Sequence, residues 1–290
     1  MRIVVCVKQV PVLSALRFDP ETRRLVRAGV PTEVSSFDLR ALGAAIALRQ
    51  VHGGEVVALT MGPPPARDAL VECLALGADR GMHLADPVLA GSDTLATARA
   101  LAAVLTREAP DLILLGRASN DAETGQVGPE VAELLGVPQA TGARRLALDP
   151  AARTFTAERE TDDGFETVTG PLPAVVTAAE DLAEERFPTK AERQAAAAKP
   201  ITTVTAADVA LDANDVGSTG SPTWVAGLEP VPVARRGEMV SGDTPAAQAG
   251  ALRERLQALA AGRPDDDPAL PSRPVGNGPP IWVVADIGPR

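Results

Sequence analysis

The chain has no tyrosine and only two tryptophans, five phenylalanines, two cysteines and two histidines in 290 residues. A core with so few aromatics has to be built from Val, Leu, Ile and Ala. Cys6 lies in an apolar run and Cys73 in a helical pattern, in neither a metal-ligand nor a C-x-x-C spacing. That excludes a thiolate metal site or a dithiol redox motif and makes a reduced, cytoplasmic compartment the expectation. No apolar run reaches the ~18 residues that a membrane span requires, and the opening Met1-Arg2-Ile3-Val4-Val5 reads as a strand rather than a leader. An excess of basic charge is also missing. The net charge of -10 argues against non-specific nucleic-acid binding. Catalytic groups are scarce too. His52, beside Gly53-Gly54, reads as solvated and His83 as lying at a strand edge, while Ser36, Ser92 and Ser119 have no G-x-S-x-G setting. No catalytic residue is expected.

What is present is a regular alternation of short apolar runs and amphipathic segments. Residues 3–7, 55–60, 81–84 and 111–115 read as strands. Helical spacing of apolar residues appears over 37–49 (Leu39, Leu42, Ile46), 66–76 (Leu70, Cys73, Leu74), from a Ser92 cap through Leu95, Ala98, Leu101, Ala102 and Leu105, and over 126–135 up to Gly136 and Pro138. Strands apolar throughout, alternating with helices, predict an α/β fold: three layers, with a mostly parallel sheet covered by helices on both faces. From residue 143 the texture changes. Segments 144–148, 153–160 and 165–168 read as antiparallel strands, and 172–178 as an apolar strand able to rejoin the main sheet. Beyond 181 large apolar residues thin out. The expected organisation is an α/β domain over 1–200, an extended arm and a helix (246–261) over 201–262, and a flexible linker with a terminal strand (281–286) over 263–290. Trp224 and Trp282 read as anchors for a partner.

Doubly wound sheets bind ligands beyond the carboxyl ends of their strands. Three segments fall there: Cys6-Val7-Lys8-Gln9-Val10-Pro11, Met61-Gly62-Pro63, and the loop from Gly116 through Arg117, Ser119, Asn120, Asp121, Glu123, Thr124, Gly125, Gln126 and Val127 to Pro129. In the third, a strand passes through a loop rich in small polar residues into a helix that Thr124 or Gly125 can cap. Backbone N–H groups at a helix start suit a phosphate. The loop is neither a Walker A sequence nor a G-x-G-x-x-G. Asp121 and Glu123 are candidates for a carboxylate pair.

Read in order, Val7 to Pro11, Ser35-Ser36-Phe37-Asp38, residues 55–63, residues 75–80, Gly91-Ser92-Asp93-Thr94, the Gly116 loop and Gly220-Ser221-Pro222-Thr223 resemble the beta subunit of electron transfer flavoproteins over roughly residues 1–260. The resemblance implies an adenine-nucleotide α-hydrolase-like fold and a heterodimer with an alpha subunit that carries the redox FAD. It further implies a nucleotide of the beta subunit's own, AMP or a second FAD. The pocket implied by motif position is formed by Cys6, Val7, Lys8, Ser35, Ser36, Phe37, Asp38, Met61, Gly62 and the Gly116–Val127 loop. Dehydrogenases are the implied electron donors, and a quinone reductase or similar protein the acceptor. Ser35 and Ser36 stand where the family has Asn-Pro, and Lys190 where its partner-recognition loop has an apolar anchor. Gln126-Val127-Gly128-Pro129 resembles electron-bifurcating members, which favours FAD, with Gly128 leaving room for a diphosphate. An adenine-nucleotide-binding regulatory module without a redox role is the alternative reading, and a hydrolase on the same scaffold lacks a nucleophile–base pair.

Overall fold

The structure is a computed structural model, describing residues 1–15, 17–19, 24–26, 29–225 and 239–261. The chain runs through β1 (Arg2–Cys6), β2 (Gln9–Pro11), β3 (Arg17–Asp19), β4 (Arg24–Val26), β5 (Thr32–Val34), α1 (Ser36–His52), β6 (Glu55–Met61), α2 (Arg67–Leu76), β7 (Arg80–Leu84), α3 (Thr94–Glu108) and β8 (Leu112–Gly116). It continues through α4 (Val127–Leu135), β9 (Gln139–Asp149), β10 (Thr154–Thr161), β11 (Gly164–Pro171), β12 (Ala174–Ala178), α5 (Lys190–Ala196), β13 (Ile201–Val204), α6 (Gly217–Gly220) and α7 (Pro245–Ala261).

Nine strands form one sheet in the order β11-β10-β9-β12-β8-β1-β6-β7-β13. Its seven neighbours from β9 to β13 pair in parallel, and β9, β10 and β11 form an antiparallel meander at one end. Successive side chains of a strand point to opposite faces, and the burial follows that period. Ile3, Val5, Leu112 and Leu114 meet Leu39 and Leu42 of α1 and Leu70 and Leu74 of α2 in one apolar layer. Val4, Cys6, Ile113 and Leu115 face the other way, with Leu101 and Leu105 of α3 and Val131 of α4. Each fully buried Leu or Val contributes about 1.5–3 kcal/mol relative to exposure, so two aliphatic layers do what few aromatics are present to do. The three-layer α/β fold expected from the sequence is therefore the observed one, and 172–178 does rejoin the sheet, as β12 between β8 and β9.

Three local expectations are corrected. Helix α3 is capped by Asp93, whose carboxylate accepts the Ala96 N–H, while Ser92 turns its hydroxyl to the Leu89 carbonyl. His83 lies within the sheet, buried on β7 between β6 and β13. Its Nε2 is 3.0 Å from the Gly62 carbonyl, which only accepts, so that nitrogen carries the proton. Residues 201–204, expected to begin the arm, form β13 and close the sheet edge against β7. Thr202 and Thr203 are exposed and Val204 is buried, so one edge strand of low apolar content looks like a tail when read as sequence. The described residues up to 225 belong to one compact unit and residues 239–261 to a second. The second holds α7, whose start is capped by the Thr244 hydroxyl accepting the Ala247 N–H, and whose Leu252 and Leu256 are exposed. The linker and strand expected over 263–290, and residues 226–238 of the arm, lie outside the described residues. Among the described residues no helix is long and apolar enough to cross a membrane.

Helix α4 sits so close to β12 that a Cβ on Gly128 would strike Thr177 Cγ2. Gly128→Ala is expected to cost about 1–3 kcal/mol, the usual range for overpacking. Adding Thr177→Ser, which deletes that methyl but keeps the hydroxyl that accepts the Gly142 N–H, should return much of the loss. Denaturant unfolding of the single and double variants measures both. Equal stability of Gly128→Ala and the parent would contradict the close approach.

Candidate functional site

The chain winds outward from β1 through β6 to β7, then crosses by α3 to place β8 on the other side of β1. The strand order therefore reverses between β1 and β8, and sheets of this kind take their ligands beyond the carboxyl ends of the strands at such a switch. Asp38, in the first turn of α1, joins those two ends: Oδ2 accepts the Lys8 N–H at 2.8 Å and Oδ1 the Gly116 N–H at 2.8 Å. A Cβ on Gly116 would come within 2.6 Å of Asp38 Oδ1 and of Phe37 Cβ, so only glycine lets the strand end meet the helix here. The segment after β1 is held further by the Thr60 hydroxyl donating to the Val7 carbonyl and by the Ser35 N–H donating to the Lys8 carbonyl.

The loop after β8 folds back over this junction. Lys8 Nζ reaches Asp121 Oδ1 at 2.6 Å and Ser119 Oγ at 3.2 Å. The Asn120 side-chain oxygen accepts from the Ser35 hydroxyl at 2.8 Å and from the Ser36 N–H at 3.1 Å. Arg117 lays its guanidinium over the Phe37 ring, 4.7 Å from the centroid, and pairs with Glu180. Lys8, Ser35, Ser36, Phe37, Asp38, Gly116, Arg117, Ser119, Asn120 and Asp121 are thus brought into one cluster. Glu123 and Thr124 are exposed, with Glu123 in a left-handed conformation (φ 49°), and Asp121 pairs with Lys8 rather than with Glu123.

Neither Thr124 nor Gly125 caps α4. Gln126 holds the cap position without a capping bond and turns its side chain to Thr94. The Val127 and Gly128 N–H groups thus open the helix without a side-chain cap, and Pro129 has none to offer. Gly128, expected to leave room for a diphosphate, is instead buried against Thr177. Met61 and Gly62 end β6 on the same edge, where Gly62 donates its N–H to the Leu84 carbonyl. Cys6 is buried in the apolar layer that holds α3 and α4, and burial first and the Asp38 charge second push its thiol up. Sequence reading left Asp93, Thr94, Ser221 and Thr223 unassigned. The structure joins their two motifs at this same edge, with Thr223 bonded to Asp93. A hydroxyl-rich motif on each side was the available signal, but 130 residues separate the partners.

Residues 22–209 match the electron transfer flavoprotein domain. The chain is 38% identical over 244 residues to an electron transfer flavoprotein subunit beta from Thermoanaerobacterium thermosaccharolyticum, covering 84% of this chain and 93% of that one. The chain belongs to the electron transfer flavoprotein beta-subunit family. Other members resemble it as well: Protein FixA of Azorhizobium caulinodans is 43% identical over 232 residues (78% of this chain, 83% of that one). The Caffeyl-CoA reductase-Etf complex subunit CarD of Acetobacterium woodii is 36% identical over 259 residues (89% and 98%). Electron transfer is the role this membership carries, and the three-layer α/β architecture is consistent with it.

Asp38 makes the junction sensitive to pH. Burial pushes its carboxyl up from 3.8 to about 7, against the Lys8 and Gly116 N–H groups and the Lys8 ammonium, which hold it down, while Asp121 adds to the rise. The folded chain therefore binds a proton here that the unfolded chain has already released. This group's contribution to stability is largest below pH 3.8, falls as pH rises towards about 7, and is level above that. Asp38→Asn should remove that downward trend. Unfolding midpoints of parent and variant across this window measure it, and identical pH slopes would show that Asp38 does not titrate as described.

Proposed function

We propose that this chain is the beta subunit of a heterodimeric electron transfer flavoprotein and that it holds an adenine nucleotide, FAD in preference to AMP, at the crevice between β1 and β8. The observation that carries the reading is the uncapped start of α4, aimed by a loop that Lys8, Ser35, Ser36 and Asn120 tie to the strand ends. The Val127 and Gly128 N–H groups, at the positive end of the helix dipole, suit a phosphate. Lys8 adds an ammonium group within the same cluster, and Arg117 with Phe37 forms a flat cationic–aromatic wall. A bound flavin supplies electron acceptance and donation. The chain's own residues bind and orient and make or break no bond. FAD of the alpha subunit would be supported by packing of this chain against it, and electrons would enter from a dehydrogenase and leave to a quinone reductase or similar acceptor. Exposed Trp224 and Val225, and Leu252 and Leu256 of α7, are apolar groups available to an alpha subunit. The relative whose name places it in a reductase-Etf complex supports a partnered state. The sequence Gln126-Val127-Gly128-Pro129 favours FAD; because Gly128 faces Thr177, any diphosphate has to run along the Val127 side of the helix start.

The nucleotide content of the purified heterodimer tests this. Released by denaturation and separated by chromatography, two FAD per heterodimer are expected. One FAD with one AMP would keep the site and change its occupant, and one FAD with no second nucleotide would refute the assignment of the crevice.

The segment before α5 bears on partner choice. Thr189 and Glu192 form a reciprocal capping box, and Arg186 binds Glu192 at 2.8 Å with two nitrogens, so the turn is braced while Phe187 and Lys190 remain exposed. A charged group enters an apolar pocket only against a desolvation penalty. Lys190→Leu should therefore speed reduction by an acyl-CoA dehydrogenase by about tenfold, the effect of ~1.4 kcal/mol. Equal stopped-flow rates for the two forms would remove this turn from partner recognition.

A further inference from the structure

We propose that Asp93 is a positioning residue for the nucleotide site, acting as the clasp of a strap formed by residues 217–223. The inference rests on the nucleotide reading above and adds a control element that lies outside the crevice. Asp93 Oδ1 accepts the Ala96 N–H at 3.0 Å, and Oδ2 accepts both the N–H and the hydroxyl of Thr223, at 3.0 and 2.7 Å. The Asp93 N–H donates to Ser221 Oγ at 2.8 Å, and that hydroxyl donates to the Gly217 carbonyl at 2.6 Å. The strap is seated along its length as well: the Gly217 N–H donates to Ser92 Oγ at 2.9 Å, the Ser218 N–H to the Ala90 carbonyl at 3.0 Å, and Arg99 to the Asp215 and Gly220 carbonyls at 3.2 Å each. Gly91 and Gly217 both have positive φ, and a Cβ on Gly91 would lie 3.1 Å from Ser218 Cβ, so the backbones meet closely. Burial pushes the Asp93 carboxyl up, but these donors outweigh it and hold the group below its ordinary value, which keeps the clasp charged.

The residue after the clasp carries its position into the site. Thr94 Oγ lies 3.0 Å from the Gln126 side-chain oxygen position and 3.1 Å from Glu130 Oε1. The Thr94 hydroxyl thus has both the Gln126 and the Glu130 side-chain oxygens as acceptors, and its one proton is shared between them. Gln126 and Glu130 bracket the first turn of α4, the turn to which the proposed function assigns a phosphate. Thr94 is therefore a joint: on one side the strap fixes the start of α3, on the other the joint fixes the start of α4. Several bonds that together hold two elements in one register transmit a displacement between them, because packed elements move as bodies rather than bending continuously.

The test uses the full chain purified with an alpha subunit, freed of bound nucleotide, and titrated calorimetrically with AMP and with FAD. Thr223→Val, which removes a clasp hydroxyl outside the crevice, should weaken binding about five- to tenfold, the low end of couplings between linked sites. Thr223→Ser should restore it. Thr94→Val should weaken it similarly, and the double variant Thr223→Val/Thr94→Val should be no weaker than the worse single, since both act through one joint. Ser221→Ala breaks the clasp from its other side and stands in if Thr223→Val does not fold. A lowered melting temperature with unchanged nucleotide affinity, or additive losses in the double variant, would overturn the clasp. A parent protein that binds neither AMP nor FAD would overturn the nucleotide reading and the clasp with it, whereas a parent that binds and variants that bind equally overturn the clasp alone.

Discussion

Two oxygen atoms of Asp38 hold the place where this sheet turns from one winding direction to the other. Lys8 and Gly116 are 30 and 78 residues away in sequence, yet their N–H groups end on one carboxylate in the first turn of α1. Each N–H, left buried without a partner, would cost about 1–3 kcal/mol. The helix start favours the negative charge, while burial opposes it, and the balance leaves a group that titrates near neutrality. The loop from Gly116 and the segment carrying Lys8 both leave from this point, so the arrangement of Asn120, Asp121, Ser35 and Ser36 depends on it.

The loop that follows is pinned at both ends by close approach. At Gly116 a side chain would meet α1, and at Gly128 it would meet β12. Between these points the backbone takes left-handed turns at Glu123 and Gly125 (φ 49° and 64°), and the side chains from Ala122 to Thr124 are exposed. A segment fixed at its ends and open along its middle presents groups to a ligand while its attachment stays rigid, an arrangement that suits binding without chemistry.

Much of this was legible in the sequence because the central strands are apolar on both faces and the helices carry one apolar stripe each. Residues 3–7, 55–60 and 111–115 announce β1, β6 and β8, and the ligand edge follows from their order. What escaped has a common physical origin: bonds between residues far apart in the chain. Ser92 and Asp93 are both competent caps, and only Thr223 and Ser221, arriving 130 residues later, decide how they divide the work. His83 looked peripheral because a buried imidazole needs an acceptor, and the Gly62 carbonyl that satisfies it belongs to the neighbouring strand's end. Ile201 to Val204 carries too few apolar residues to declare a strand, since as the edge strand it buries little more than Val204.

That edge strand has a consequence for synthesis. β13 pairs with β7, whose residues precede it by about 120 positions in the register of Ile201 with Gly81. As the chain leaves the ribosome, β1, β6, β7 and β8 have all emerged while the outer edge of β7 still shows a row of unpaired N–H and C=O groups. An open, apolar edge of this kind is a template for other chains. The interval before residues 201–204 arrive is therefore a stretch of translation in which this edge can mispair, and α3, β8, α4, the meander β9–β11, β12 and α5 all have to be made within it.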